Sequence, residues 1–175
     1  ISQKYQVITA NLVKDTNYFS CILQDEANAP LRQEDFSFTL ESGNGIIDYT
    51  NTPVGTTPVY YLPYQKEVAG MSEQTPVIHA RLNTLRIMKG DQTTLSIKHI
   101  PSGQNILRLP LTQYLLLSKI YNDIGEMSDQ EYLDRQDSYT LLFFIQSSDT
   151  GIPKICPRMQ VNGWIIRLNN SELES

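Results

Sequence analysis

Histidine is nearly missing from this chain, with only His79 and His99 among 175 residues. Nucleophilic catalysis needs a Ser or Cys beside an imidazole that a carboxylate orients, and neither histidine lies in such a motif. Both fall at strand positions, where a hydrogen-bonded structural role is expected. Cysteine is equally scarce, with Cys21 and Cys156 alone. Separated by most of the chain, they carry no spacing signal; a disulfide made in an oxidising compartment and two inert thiols both fit them. No two of these His and Cys residues stand at i, i+2 or i, i+4, and no Gly-rich loop joins a strand to a helix, so neither a metal nor a nucleotide site is indicated. The sequence gives no ground for an enzyme, a cofactor or a catalytic residue.

Charge is thin as well. Charged residues make up 19% of the chain, with a formal net charge of -5 and no clustered Lys/Arg run, which removes the electrostatic footprint that nucleic-acid binding needs. Apolar runs are short. The longest, around Leu115 to Leu117, ends at Ser118 and Lys119, far below the length of a membrane-crossing helix.

What is present is the palette of half-buried strands: hydrophobic residues at 40%, with many Ser, Thr, Asn and Gln. The length suits one domain over residues 1–175, large enough to bury roughly 70% of the unfolded surface in a single core. Period-2 alternation predicts strands at Tyr5 to Val13, Tyr18 to Gln24, Phe36 to Leu40, Ile46 to Tyr49, Val59 to Leu62, Val77 to Met88, Thr94 to His99, Asn105 to Leu109, Ser138 to Gln146 and Met159 to Leu168. Turn-forming residues such as Glu41-Ser-Gly-Asn-Gly45 and Pro101-Ser-Gly103 separate them. Short strands at this spacing predict an all-β sandwich. At Asn162-Gly163 a continuous strand with a bulge is favoured over a hairpin, because the flanking apolar residues alternate across it.

A helical insert at about 110–136 interrupts the pattern. Pro110 suits the first helical position, and Leu111, Tyr114, Leu115, Leu117, Ile120 and Tyr121 cover so much circumference that burial all round is expected. Gly125 provides a break. Ser128-Asp129-Gln130-Glu131 is a capping box opening a second helix, with Glu131 and Arg135 spaced for a surface ion pair. Asp123, Glu126, Asp129, Glu131, Asp134 and Asp137 cluster here without the spacing of a calcium loop, so a solvated acidic face is expected. Tyr60, Tyr61 and Tyr64 crowd one extended segment with Pro58 and Pro63. They form a partner-contact platform if exposed and core filling if buried.

The leucine-rich run Leu109 to Lys119, then Tyr132-Leu133-Asp134-Arg135, the aromatic strand Tyr139 to Ile145 and Val161-Asn162-Gly163-Trp164 occur in an order that resembles the anchor subunits of Bacteroidetes-type (type V) fimbriae. Tyr61-Leu62-Pro63-Tyr64 and His79 to Arg86 fit the same resemblance, which covers most of the chain. It implies a lipoprotein of two transthyretin-like Greek-key β-sandwich domains at the base of a fimbrium, tying it to the outer membrane and limiting its length. This chain would be the second, C-terminal domain. Its partners would be a fimbrial shaft pilin subunit and, through a lipidated N-terminal domain, the outer membrane.

One inference comes from the residues themselves. A strand donated to a neighbouring subunit must carry alternating large apolar residues, and Asn169 to Ser175 contains Leu173 alone. Such a tail predicts an end-piece. The expectation is a non-enzymatic structural subunit of a cell-surface fimbrium, with a surface adhesin or carbohydrate-binding module as the alternative.

Overall fold

The computed structural model describes residues 5, 7–9, 15–55, 57–70, 76–122 and 127–173. Among the described residues ten strands run in chain order: β1 (Thr16–Asp25), β2 (Phe36–Ser42), β3 (Val59–Tyr61), β4 (Gln65–Gly70), β5 (Pro76–Leu85), β6 (Thr94–His99), β7 (Gln104–Pro110), β8 (Ser138–Gln146), β9 (Lys154–Val161) and β10 (Trp164–Arg167). Between β7 and β8 the described residues include two short α-helices, α1 (Leu111–Leu117) and α2 (Asp129–Arg135). The two-sheet, all-β architecture with a small helical insert is the one the alternation predicts.

Six strands form one sheet in the order β10-β9-β8-β1-β5-β4, and four form the other in the order β3-β2-β6-β7. β1 sits centrally, antiparallel to β5 and parallel to β8. Its alternation explains the place: Phe19, Cys21 and Leu23 face the interior and are fully buried, while Tyr18, Ile22 and Gln24 are only partly covered. Facing them from the smaller sheet are Phe38, Leu40, Leu95, Ile97 and Leu107, in one continuous core. Each such side chain stabilises the fold by about 1.5–3 kcal/mol before conformational entropy is charged. Phe19 also stacks on Tyr139, with ring centroids 5.4 Å apart.

Several local expectations need correction. Asn162-Gly163 is a hairpin turn and not a bulge. Asn162 has φ 50 and Gly163 φ 88, the signature of a type I′ turn, which only residues tolerant of positive φ adopt readily. Asn162 earns its place by accepting the Thr140 N–H on its Oδ1 at 2.8 Å. Ile46 to Tyr49 is a loop held by a single bridge, Ile47 to Pro53. β4 was not foreseen, because Gln65-Lys66-Glu67 shows no apolar alternation. The strand expected at Tyr5 to Val13 lies largely outside the described residues, as does Gly125.

The helical insert is also less buried than expected. α1 buries Leu111, Tyr114 and Leu115, but the chain tightens into a 3-10 helix at Ser118–Asn122. Leu117 is already exposed at the end of α1, and the change of pitch carries the rest of the apolar stripe off the core, leaving Ile120 and Tyr121 exposed as well. Pro110 closes β7 and precedes the helix, where its missing N–H costs nothing.

Candidate functional site

Between β3 and β4 the chain crosses from the smaller sheet to the larger one through Leu62-Pro63-Tyr64, so the edges of both sheets lie on one rim. Strand alternation splits the three tyrosines there. Tyr60, opposite Glu41, and Tyr64 are 59% and 58% exposed. Tyr61 turns inward instead: its hydroxyl donates to Asn44 Oδ1 at 2.8 Å and accepts the Leu85 N–H at 3.4 Å. Burial pushes its phenol pKa up. Tyr64 is steadied by its N–H, which donates to the Arg81 carbonyl at 3.0 Å, and its side chain meets Tyr18. Of the three, Tyr60 and Tyr64 are therefore the exposed rings and Tyr61 is the inward one.

Behind Tyr61 lies a polar network that the sequence did not reveal. Asn44 Nδ2 donates to the carbonyls of Leu85 and Arg86 at 3.2 and 2.9 Å. The Arg86 guanidinium makes a bidentate pair with Asp134, Nε to Oδ1 at 2.8 Å and Nη2 to Oδ2 at 2.7 Å, and its Nη1 donates to the Asn51 carbonyl at 2.9 Å. Gln130 completes the circuit, donating to Asp134 Oδ1 at 3.0 Å and accepting the Lys89 N–H at 2.8 Å. One arginine thus ties the end of β5, the 43–58 loop and α2 together. Donation to the Asp134 carboxylate holds the Arg86 pKa above the ordinary arginine value. Long polar side chains satisfied on every side are what a low-dielectric site requires.

α2 behaves as its sequence predicts. Ser128 Oγ accepts the Glu131 N–H at 3.2 Å, and Glu131 pairs with Arg135 at 2.7 Å. Tyr132 and Leu133 are buried, with the Tyr132 hydroxyl 2.8 Å from Ser118 Oγ. Three members of the acidic cluster, Asp129, Glu131 and Asp134, are engaged with cations of the chain itself. Asp129 meets Lys89 and Lys119 at 2.8 and 2.9 Å, and their hydrogen bonds, Lys89 first, hold its carboxyl down at about 2. Asp123 and Glu126 lie outside the described residues. Among the described residues no group of three or more His, Cys, Asp or Glu side chains is arranged to hold a metal.

The cysteines are free and buried, and desolvation pushes the Cys21 thiol up to about 12 and Cys156 to about 11. Cys156 Sγ donates to Glu26 Oε2 at 3.6 Å, and that carboxylate also takes Arg158 Nη2 at 2.9 Å. The histidines are engaged elsewhere, His79 with Ser20 Oγ at 2.6 Å and His99 with Ser102 Oγ at 2.9 Å. A thiol this far from the thiolate form is a poor nucleophile. Two open clefts, of about 600 and 400 Å³, flank the Gly90-Asp91-Gln92 turn beside this rim. Desolvation raises the Asp91 carboxyl between them, and among the described residues no aromatic ring lines either one.

Known proteins agree with this chain in family and in fold. A profile of the family described as fimbrillin-A associated anchor proteins Mfa1 and Mfa2 matches residues 1–170. The minor fimbrium anchoring subunit Mfa2 of Porphyromonas gingivalis is 26% identical over 140 residues, 80% of this chain and 40% of that protein. Among solved structures, a candidate adhesin from Bacteroides thetaiotaomicron superposes with a TM-score of 0.76 at 25% identity, over 90% of this chain and 53% of that one. A candidate polysaccharide-binding protein from the same species gives 0.71 at 25% identity, over 91% and 53%. The fimbrial anchor protein Mfa2 from Porphyromonas gingivalis shares the fold, with a TM-score of 0.68 at 20% identity over 89% and 49%. The chain spans two fifths of the curated relative's length and about half of each solved chain.

Proposed function

Because this chain belongs to the family of fimbrillin-A associated anchor proteins, we propose that it is the distal sandwich domain of an anchor, holding a fimbrium at the outer membrane and ending it at its base. The family associates it with a fimbrium at the cell envelope and with structural subunits. Residues 168–173 are engaged within this domain. Leu168 N–H donates to the Pro157 carbonyl at 3.1 Å, Asn169 N–H to the Tyr114 hydroxyl at 3.1 Å, and that hydroxyl in turn to Glu172 Oε2 at 2.9 Å. A short 3-10 turn, Asn170–Glu172, follows with Glu172 buried. Residues 168–173 complete their own domain, and a segment so engaged is not available to a neighbour's sheet. The exposed Tyr60 and Tyr64 rim is the proposed contact for a shaft subunit, with Tyr61 as its inward brace.

The test uses the full-length protein in fimbriated cells. Deleting its gene should release fimbriae into the medium and lengthen them in electron micrographs; fimbriae that stay cell-bound and of unchanged length refute the anchoring role. Tyr60→Ala with Tyr64→Ala should reproduce the release several-fold if this rim is the contact, while wild-type retention removes the rim and leaves the anchor. The adhesin or carbohydrate-binding alternative rests on the same two exposed rings, which suit stacking on a sugar face. It fails if this double variant leaves glycan-array signals unchanged.

A further inference from the structure

The opposite rim of the six-stranded sheet carries a different signal. Sheet edges are hazards that proteins blunt by shortness, charge or cover, and three of the four edges here are blunted. β3 has three residues. β4 carries Lys66 and Glu67. β7 is covered by the 3-10 turn Asn170–Glu172 and α1. β10 is the least protected of the four among the described residues: four residues long, packed on one face by Ser118–Asn122 and charged only at Arg167, it has no strand on its outer side and reads Trp164-Ile165-Ile166-Arg167, with Trp164 and Ile165 42% and 62% exposed.

The hydrogen-bond parity of β10 defines what can join it. Trp164 pairs with Val161 across the two-residue turn, and Leu168 N–H reaches the Pro157 carbonyl at 3.1 Å. Positions 164, 166 and 168 therefore bond inward, and the N–H and C=O of Ile165 and Arg167 point away from β9. The two faces of the edge differ. On the outer face Arg167 lies directly opposite Arg158, an unfavourable cross-strand pair. Arg158 is relieved by Glu26 at 2.9 Å and by the Phe144 ring at 4.6 Å, whereas Arg167 has no ion-pair partner among the described residues. On the other face Trp164 stacks on Tyr121 with centroids 5.0 Å apart and planes at 11°, next to exposed Leu117 and Ile120.

We propose that β10 is a docking edge for an extended segment of a partner protein that alternates acidic and apolar residues. Its backbone takes up the free ladder groups of Ile165 and Arg167, its carboxylates meet Arg167, and its apolar side chains cover the Tyr121–Trp164 stack. This is strand addition, in which the ladder supplies affinity and the alternate side chains supply specificity. The unpaired arginine on an otherwise acidic chain selects the charge. The edge lies across the sheet from the tyrosine rim, so the proposal stands whether or not that rim binds a shaft subunit.

Trp164 is the single tryptophan, so its fluorescence reports this edge alone. Titration with a capped peptide alternating Val and Glu should give a saturable blue shift, and the Val/Lys counterpart should bind at least about tenfold more weakly, the worth of one charge-assisted hydrogen bond. Hydrogen exchange should slow at the amides of Ile165 and Arg167 while those of Trp164 and Ile166 stay as they were. Arg167→Glu should reverse the peptide preference. Ile165→Pro removes only an outward N–H, which edge strands tolerate, and should abolish binding with the fold intact by circular dichroism. The proposal is overturned by no saturable shift, by equal response to both peptides, by unchanged exchange at those two amides, or by sedimentation showing that β10 pairs with a second copy instead.

Discussion

The two rims of the six-stranded sheet are finished in opposite ways. On the β4 side a run of inward polar groups is answered from within the chain: Tyr61 by Asn44, Asn44 by the Arg86 backbone, and the Arg86 side chain by Asp134 and Asn51. Lys66 Nζ even reaches across to the Phe36 carbonyl of the other sheet at 2.7 Å. On the β10 side the chain leaves two ladder positions, one arginine and a stacked Tyr–Trp pair facing outward. A polar network that closes on itself stabilises, and a strand edge left open recruits. Substitutions on the first rim should therefore register in unfolding, and on the second in binding.

The largest effect should come from cutting the Arg86–Asp134 pair. Their side chains are 11% and 26% exposed, so removing one partner strands a charge in a poorly solvated place. Asp134→Ala should cost about 2 to 4 kcal/mol in urea unfolding. Replacing both, Arg86→Met with Asp134→Leu, should cost less than the two single changes added together, because no lone charge remains. If Asp134→Ala costs no more than a typical surface change, within about 0.5 kcal/mol, the closed-network account of this rim is wrong.

Neighbouring tyrosines sharpen the contrast within one strand. Tyr61→Phe deletes the hydroxyl that donates to Asn44 and accepts from Leu85, and should cost about 1 to 2 kcal/mol. Tyr60→Ala touches no such partner and should stay within about 0.5 kcal/mol. If the proposed shaft contact holds, the order should invert for fimbria retention, with Tyr60→Ala releasing fimbriae and Tyr61→Phe retaining them. Thermal melts of the two variants that shift equally would show that the rim is uniform and that alternation does not divide it.

Local chemistry was legible in the sequence, and distant chemistry was not. The strands Thr94–His99 and Ser138–Gln146 have the bounds that alternation predicts, because each has one buried face. The Ser128 cap and the Glu131–Arg135 pair follow from helix spacing alone. β4 escaped because a charged edge strand carries no apolar period. The start of β9 escaped because Pro157 sits inside it, at a position the chain leaves exposed. Arg86 and Asp134 are 48 residues apart, and only the fold brings them together. Asp134 stands in the very motif that carried the family resemblance, yet its role as the arginine's partner had no signal in one dimension.

The smallest predicted effect concerns pH and lies on the closed rim. His79, on the outer face of β5, is flanked by Ser20 of β1, Arg81 of its own strand and Glu67 of β4, its neighbour in register. Desolvation first, and the Arg81 charge second, lower its pKa below the ordinary 6.5, with Glu67 opposing. Between that lowered value and 6.5 the unfolded chain binds more protons than the folded one, so stability rises with pH across this window and is lost on acidification through it. His79→Gln cannot take up that proton. Its urea midpoint should therefore fall less than the parent's between about pH 7 and about pH 5, with the carboxylates contributing equally to both proteins. Parallel curves would mean that the imidazole feels neither the burial nor the arginine, and that this side of the sheet is as open to solvent as the β10 edge.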